Sequence, residues 1–382
     1  MNTKTALATA LATLALIPPT AFADPTGTGW NLAFSEDFDG TSVDTTKWTY
    51  RTDVKAYSAQ RPENVTVAGN VMSINLKQES YAGKNFTGGG LVSIQRFRYG
   101  YYETRAKVNH GGGWHSAFWM MAGDGGTTIP ADRRTEIDGF EIDSISPTKL
   151  RHNVITWTAA ATQGPVYVTS NVYDIGMDLS VDWHTYGVDW EESGVKYYVD
   201  GVLKATQSYT PAQWTHDMLG IWLTAIGYGT SPDPAYLPST SQFARVRYWQ
   251  KDFYVDNDGP LASGYSETGS WAASGLTGWT YGSPTRYATC GTAGNTATWR
   301  PDLLAAGTYE VFAYKVAYSS SDPATRYDVA GSTTIVNGTQ GSNGWVSLGT
   351  FALPQGTATA VQLTSSGTGC ARADAVKFVR RS

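Results

Sequence analysis

The chain has 382 residues, a formal net charge of −5 and only 16% charged residues. That balance argues against nucleic acid as a partner, because phosphate binding needs concentrated Lys and Arg and no such cluster occurs. Gly 41, Trp 14 and Tyr 23 form the composition of strands and turns with aromatic surfaces, not of helix bundles.

In chain order, residues 1–23 read as a signal peptide. Lys4 opens it, Ala6 to Ile17 is apolar and small, and Ala21-Phe22-Ala23 fits the small-x-small rule, which places cleavage after Ala23. The apolar run is too short for a membrane span. The mature chain is therefore expected to be secreted, soluble and free of the membrane. Residues 24–254 follow as a series of short strand-like runs, among them Val65-Val67, Val71-Leu76, Tyr99-Val108, Val195-Val199 and Ala244-Trp249. Turn residues such as Ala68-Gly69-Asn70 and Asp200-Gly201 separate them. The spacing predicts an all-β sandwich. One short helix is expected near Thr210 to Asp217, with Pro211 in its first turn.

Val255-Asp256-Asn257-Asp258-Gly259-Pro260 is a linker signal. Residues 255–382 are richer in Gly, Ser and Thr, with strands expected at Ala297-Trp299, Thr308-Tyr314, Trp345-Phe351 and Ala373-Val379. They read as a second, smaller β-sandwich. Cys290 and Cys370, the only cysteines, read as one disulfide in an exported chain. Two distant cysteines are too few for a zinc site.

The densest chemical signal is Glu136-Ile137-Asp138-Gly139-Phe140-Glu141. Side chains alternate across a strand, so Glu136 and Asp138 share a face. Glu141 joins them only if one extra residue is inserted at Gly139-Phe140. A β-bulge does this, and glycine is a common residue at one. Three adjacent carboxylates raise each other's cost of ionisation, so the group holds a proton near neutral pH. That suits acid/base and nucleophilic work on a glycosidic bond. The bland alternative is a solvated acidic edge. Apolar Ile137, Phe140 and Ile142 argue against it. Asp143 continues the run without an assigned role.

The flanking strands resemble the family 16 glycoside hydrolases. The matching pieces are Ser35-Glu36-Asp37-Phe38-Asp39-Gly40 with Lys47-Trp48, Pro62-Glu63-Asn64-Val65, Tyr99-Gly100-Tyr101-Tyr102-Glu103-Thr104-Arg105 and Trp114-His115-Ser116-Ala117-Phe118-Trp119-Met120. Trp183-His184-Thr185-Tyr186 and Tyr197-Tyr198-Val199-Asp200-Gly201 complete the order. The resemblance implies a curved, concanavalin-like jelly-roll sandwich with substrate along its concave face, and a retaining mechanism. Glu136 is then the nucleophile, Glu141 the general acid/base, and Asp138 tunes both. It also implies a polysaccharide substrate, no cofactor for catalysis, and a structural calcium in many relatives. Glu36 and Asp39 are weak candidates for that calcium, since Ala244 stands where an aspartate is usual.

Aromatic side chains stack on the apolar faces of sugar rings. Trp114, Trp119 and Trp222 are the candidates, with core packing as the competing reading. Asn64 and Arg105 resemble sugar-contacting positions, and His152 is placed near Glu141. His115-Ser116 departs from the usual Trp-Pro of β-1,3-glucanases. Arg133 and Arg134, just ahead of the catalytic strand, could receive sulfate or carboxylate, although solvation is the commoner fate of such residues. The C-terminal segment resembles the golvesin or xanthan-lyase-type carbohydrate-binding-like domain, through Gly264-Tyr265-Ser266, Gly269-Ser270-Trp271, Ala297-Thr298-Trp299 and Arg372-Ala373-Asp374-Ala375-Val376.

The expectation is a secreted, monomeric, endo-acting retaining hydrolase of β-1,3- or mixed-linkage glucan. Red-algal or acidic galactan is the next substrate group. A transglycosylase and a non-catalytic lectin are the rivals.

Overall fold

The computed structural model describes residues 25, 27, 29–126, 135–157, 165–208, 218–279 and 284–382. The expected signal peptide and the expected helix near Thr210 to Asp217 lie outside the described residues. Regular structure is almost wholly strand, with short 3-10 stretches at Pro62–Asn64, Pro234–Tyr236 and Gly259–Gly264. No helix is long and apolar enough to cross a membrane among the described residues.

The first part is a 16-stranded sheet that folds over on itself. One layer runs Pro165–Asp174, Lys149–Trp157, Thr135–Asp143, His115–Met121, Gly220–Ile226 and Lys84–Ser93. The hairpin partner Val71–Tyr81 carries the sheet into the second layer, which continues through Ser239–Gln250, Gly100–Lys107, His184–Glu191, Gly194–Val199 and Val202–Ser208. The core lies between the layers. Phe140 from the first meets Tyr186 from the second at a ring-centroid distance of 4.2 Å, and stacks on Phe243 at 6.5 Å. This is the all-β sandwich expected from the strand spacing, in the curved jelly-roll form that the family resemblance implies. Alternating burial makes it: Ile137, Phe140 and Ile142 are fully buried, while Glu136, Glu141 and Asp143 are only partly so.

The C-terminal part holds four-, five- and three-stranded sheets. Its core packs Trp299, Tyr309, Val311, Leu363 and Phe378. The Cys290–Cys370 disulfide is present. The two parts meet across an aromatic seam. Tyr254 stacks on Trp279 at 4.9 Å, and Trp279 packs edge-on against Tyr99 at 6.2 Å. Glu192, in the turn after His184–Glu191, closes the seam. Its Oε1 accepts from the indole N–H of Trp279 (2.8 Å) and of Trp345 (2.5 Å), and its Oε2 accepts from Lys377 Nζ (3.0 Å).

Candidate active site

The strand Thr135–Asp143 carries the expected bulge. Against His115–Met121, Met121 faces Glu136, Trp119 faces Asp138 and Ala117 faces Glu141, with the register slipping between Phe118 and Trp119. Gly139 is the unpaired extra residue. A Cβ there would lie 2.8 Å from Phe118 Cδ1 and 2.8 Å from Val188 Cγ2, so packing between the layers demands glycine. The slip turns Glu136, Asp138 and Glu141 to one face, where all three line a cleft of about 220 Å³.

The three acids sit in different surroundings. Asp138 is 2% exposed. Burial, followed by the Glu136 and Glu141 charges, pushes its carboxyl well above the usual range, so it carries a proton. It shares a hydrogen bond with Glu136 and accepts one on Oδ2 from Asn153 Nδ2 at 2.7 Å. Glu136 Oε2 accepts from Trp157 Nε1 at 2.7 Å. Glu141 Oε2 accepts from Asn153 Nδ2 at 2.6 Å, and its Oε1 lies 3.0 Å from His115 Nε2. His115 in turn reaches Asp143 Oδ1 through Nδ1 at 2.8 Å. Burial pushes the imidazole down, but the Asp143 and Glu141 carboxylates outweigh it and raise it to about 9. The His115 bond holds the Asp143 carboxyl below its ordinary value against burial.

Asn153, Trp157, His115 and Asp143 thus hold the triad, and the sequence assigned none of them to it. The signal for His115 and Ser116 was their departure from Trp-Pro. The structure separates the two. His115 enters the cleft, and Ser116 turns inward to bond Ser241 Oγ at 2.7 Å.

Among the expected sugar contacts, Trp119 and Trp222 line the cleft and stack on each other at 4.5 Å. Their N–H groups donate to Thr224 Oγ1 (3.1 Å) and Met121 O (3.0 Å). Arg51 lies over both rings at 5.6 Å, locked by a two-pronged bond to Asp53. The other candidates go elsewhere. Trp114 is fully buried and meets Phe86 edge-on at 6.3 Å, which is the core reading. Asn64 is fully buried, and its Nδ2 donates to Gly88 O at 3.0 Å. Arg105 belongs to the opposite layer, where it lies over Trp183 at 5.4 Å. His152 faces the core, stacked on Tyr197 at 4.1 Å, and burial lowers it to about 4. Its neighbour Asn153 is the residue that reaches the acids, because the bulge sets Asn153 opposite Asp138. Arg133 and Arg134 lie outside the described residues.

The calcium candidates do not fit a cation. Glu36 Oε1 accepts from the Phe38 N–H (2.7 Å) and Oε2 from Trp48 Nε1 (3.1 Å), with Lys47 Nζ 3.4 Å away. Asp39 is exposed. Among the described residues no group of three His, Cys, Asp or Glu side chains is placed to hold a metal.

Residues 30–254 match the family model described as beta-porphyranase A-D, GH16 domain, and residues 253–380 match the Golvesin C-terminal domain. A beta-glucanase of Rhodothermus marinus is 25% identical over 194 residues, covering 46% of this chain and 64% of the relative. A kappa-carrageenase of Pseudoalteromonas carrageenovora is 29% identical over 201 residues, covering 46% of this chain and 51% of the relative. The chain thus spans less than two thirds of either relative's length. Among solved structures, a non-specific endo-beta-1,3(4)-glucanase from family GH16 superposes with a TM-score of 0.50 at 26% identity, over 60% of this chain and 94% of that one.

Proposed function

The chain belongs to glycoside hydrolase family 16, and on that premise we propose that it is a secreted, monomeric, endo-acting retaining β-glycan hydrolase. The observation that carries this reading is the Gly139 bulge, which sets Glu136, Asp138 and Glu141 side by side in an aromatic cleft. Glu136 attacks the anomeric carbon. Glu141 protonates the leaving oxygen, then takes a proton from the water that releases the glycosyl-enzyme. Asp138, protonated against Glu136, leaves room for one full charge on the nucleophile. Trp119 and Trp222 offer the apolar surface for a sugar ring. Glycoside hydrolysis needs no cofactor, and residue contacts around Glu36 speak against calcium there.

The substrate favoured by the beta-glucanase relative and the endo-beta-1,3(4)-glucanase neighbour is a β-1,3- or mixed-linkage glucan. A red-algal or otherwise acidic galactan is the second reading, favoured by the porphyranase family model and the carrageenase relative. Residues 1–23 serve as signal peptide, 24–254 as catalytic unit and 255–382 as carbohydrate-binding-like unit in this reading.

The test is product sizing on laminarin, lichenan, agarose, carrageenan and porphyran, with wild type beside Glu136→Gln. Oligosaccharides of intermediate length from one polymer, absent with the variant, are expected. No reducing ends from any polymer would move the reading to a lectin. Near-normal turnover by Glu136→Gln would remove the nucleophile assignment.

A further inference from the structure

A smaller recess of about 110 Å³ opens beside the catalytic cleft and shares His115 and Glu141 with it. Glu136 lines the cleft but not the recess. Retaining hydrolysis gives that difference a direction. The nucleophile reaches the anomeric carbon from the cleft, and Glu141 protonates the oxygen that leaves. The sugar attached to that oxygen therefore lies beyond Glu141, on the recess side. Sheet order agrees. Trp119 and Trp222 stand on His115–Met121 and Gly220–Ile226, to one side of the catalytic strand, and the recess reaches Lys149–Trp157 and Pro165–Asp174 on the other. A polymer laid across the strands passes from the aromatic pair, over the acids, into the recess.

Strand alternation fixes what it meets there. Lys149, Arg151 and Asn153 share one face of their strand, while Leu150 and His152 are buried behind it. Asn153 bonds both Asp138 and Glu141, so that face is the cleft face. Arg151 stands directly opposite Glu141 on one side and Val172 on the other, and opposite residues of an antiparallel pair share a face. Val172 is 54% exposed and gives a sugar ring an apolar footing beside the cations.

Commitment rather than net charge sets Lys149 and Arg151 apart. The acids around them are already bonded: Glu141 and Asp143 to His115, and Asp174, opposite Lys149, to the Gly176 N–H at 3.0 Å. Both His115 nitrogens are spent in those bonds. Lys149 and Arg151 line the recess and are exposed, so a ligand can reach them. Neither side chain has a hydrogen-bond or ion-pair partner among the described residues. Solvated cations on an outer surface need no explanation. These two stand on the cleft face beside the general acid, in the path of the leaving chain. A neutral hydroxyl is held as well by uncharged groups, whereas a sulfate or carboxylate takes charge-assisted bonds from both cations.

We propose that the recess is the leaving-group-side subsite and that Arg151 and Lys149 select there a sugar residue bearing sulfate or carboxylate. This assignment rests on the hydrolase reading, and within it favours an acidic polymer over a neutral glucan.

Hydrogen exchange on the full chain carrying Glu136→Gln, which prevents turnover of the probe, tests the site locally. The probes are a κ-carrageenan tetrasaccharide, a tetra-uronate, neutral agarotetraose and sodium sulfate. Protection of residues 146–152 and 170–174 by the sulfated or the uronate probe is expected, and which one protects identifies the anionic group. Arg151→Gln and Lys149→Gln, both at exposed positions, should each weaken that binding about tenfold, since one lost charged contact is worth about that factor. Products released by the wild type from partly desulfated porphyran or partly C6-oxidised laminarin should be enriched in charge in the repeat at the new non-reducing end, which sat beyond Glu141. Arg151→Gln should lose that enrichment. Equal protection by agarotetraose, no protection by either acidic probe, or unchanged binding in both variants overturns the proposal. So does protection by sodium sulfate alone, which would mark an inorganic anion site. A random distribution of charge at that end, or cleavage confined to neutral polymers, overturns it while the hydrolase reading stands. Cleavage of no polymer, with the recess still protected by an acidic probe, overturns the hydrolase reading instead and leaves an acidic-glycan site.

Discussion

His115 ties Glu141 to Asp143, with Nε2 3.0 Å from Glu141 Oε1 and Nδ1 2.8 Å from Asp143 Oδ1. The two carboxylates overcome burial and raise the imidazole to about 9, so it is cationic at neutral pH. His115→Asn keeps a hydrogen-bond donor toward Glu141 but removes the charge and the reach to Asp143. It should lower kcat/KM about tenfold, since one lost charged contact is worth about that factor, and should erase any step in the activity profile near the imidazole value of about 9. An unchanged kcat/KM and pH profile would remove His115 from the positioning of Glu141.

The same residue makes a stability prediction. Its folded pKa lies above the unfolded value of 6.5, so its contribution is complete below 6.5 and disappears as pH rises through about 9. Wild type should melt above His115→Asn at pH 6, with the gap closing between pH 6.5 and 9. Paired thermal melts across that window check the sign.

Gly139→Ala tests the bulge. Its Cβ would press Phe118 and Val188 at 2.8 Å, from opposite layers of the sandwich. Overpacking of this kind costs about 1–3 kcal/mol. The acids would be displaced with the strand, so activity should fall further than stability alone requires. A variant with wild-type melting temperature and turnover would show that the strand accommodates the methyl group.

The bulge, the shared acidic face and the all-β sandwich were legible because they rest on local rules: alternation, a glycine at the slip, and strand spacing; the curved jelly-roll form came from the family resemblance. The support around the acids was not, because it arrives through cross-strand register. Asn153 and His152 are adjacent, and one residue of slip decides which faces Asp138. The bulge reverses the simple expectation, sending His152 to Tyr197 and Asn153 to the acids. Trp114 and Trp119 carry the same chemistry five positions apart, and only the fold says that Trp114 meets Phe86 while Trp119 meets Trp222. Asp143, without a role from the sequence, acquires one through His115.

Asp138→Asn separates stability from chemistry. Burial and the flanking Glu136 and Glu141 charges hold the Asp138 carboxyl well above the ordinary aspartate value of 3.8. A raised carboxyl means that the unfolded chain ionises first, so the native state loses stability as pH rises above 3.8. The amide is neutral at every pH and can still accept from Asn153 and donate to Glu136. The variant should therefore melt higher than wild type at pH 7 while turnover falls, the pattern expected when an active site retains a costly group. A lower melting temperature for the variant at pH 7 would contradict the buried, proton-holding state of Asp138.

Glu192 ties the two parts together through three side-chain contacts. Its carboxylate joins Trp279, Trp345 and Lys377 of the C-terminal part to the hydrolase. The side chain is 19% exposed, so solvent screens part of its charge. Two indole donors and an ammonium nonetheless lose their common acceptor in Glu192→Ala. Hydrogen bonds to a charged group contribute about 1.5–3 kcal/mol each and do not add fully, so a loss of about 2–4 kcal/mol at the seam is expected. The aromatic stack of Tyr254 on Trp279 remains to hold the parts in contact. The consequence should be local: calorimetry should change from one transition toward two, while activity on short soluble oligosaccharides stays near wild type because the cleft is untouched. Binding to insoluble polymer should weaken if the C-terminal part presents the chain to the cleft from a fixed position, and should stay unchanged if that part acts as a loose tether. A single unaltered transition would show that the stacked aromatics alone carry the seam.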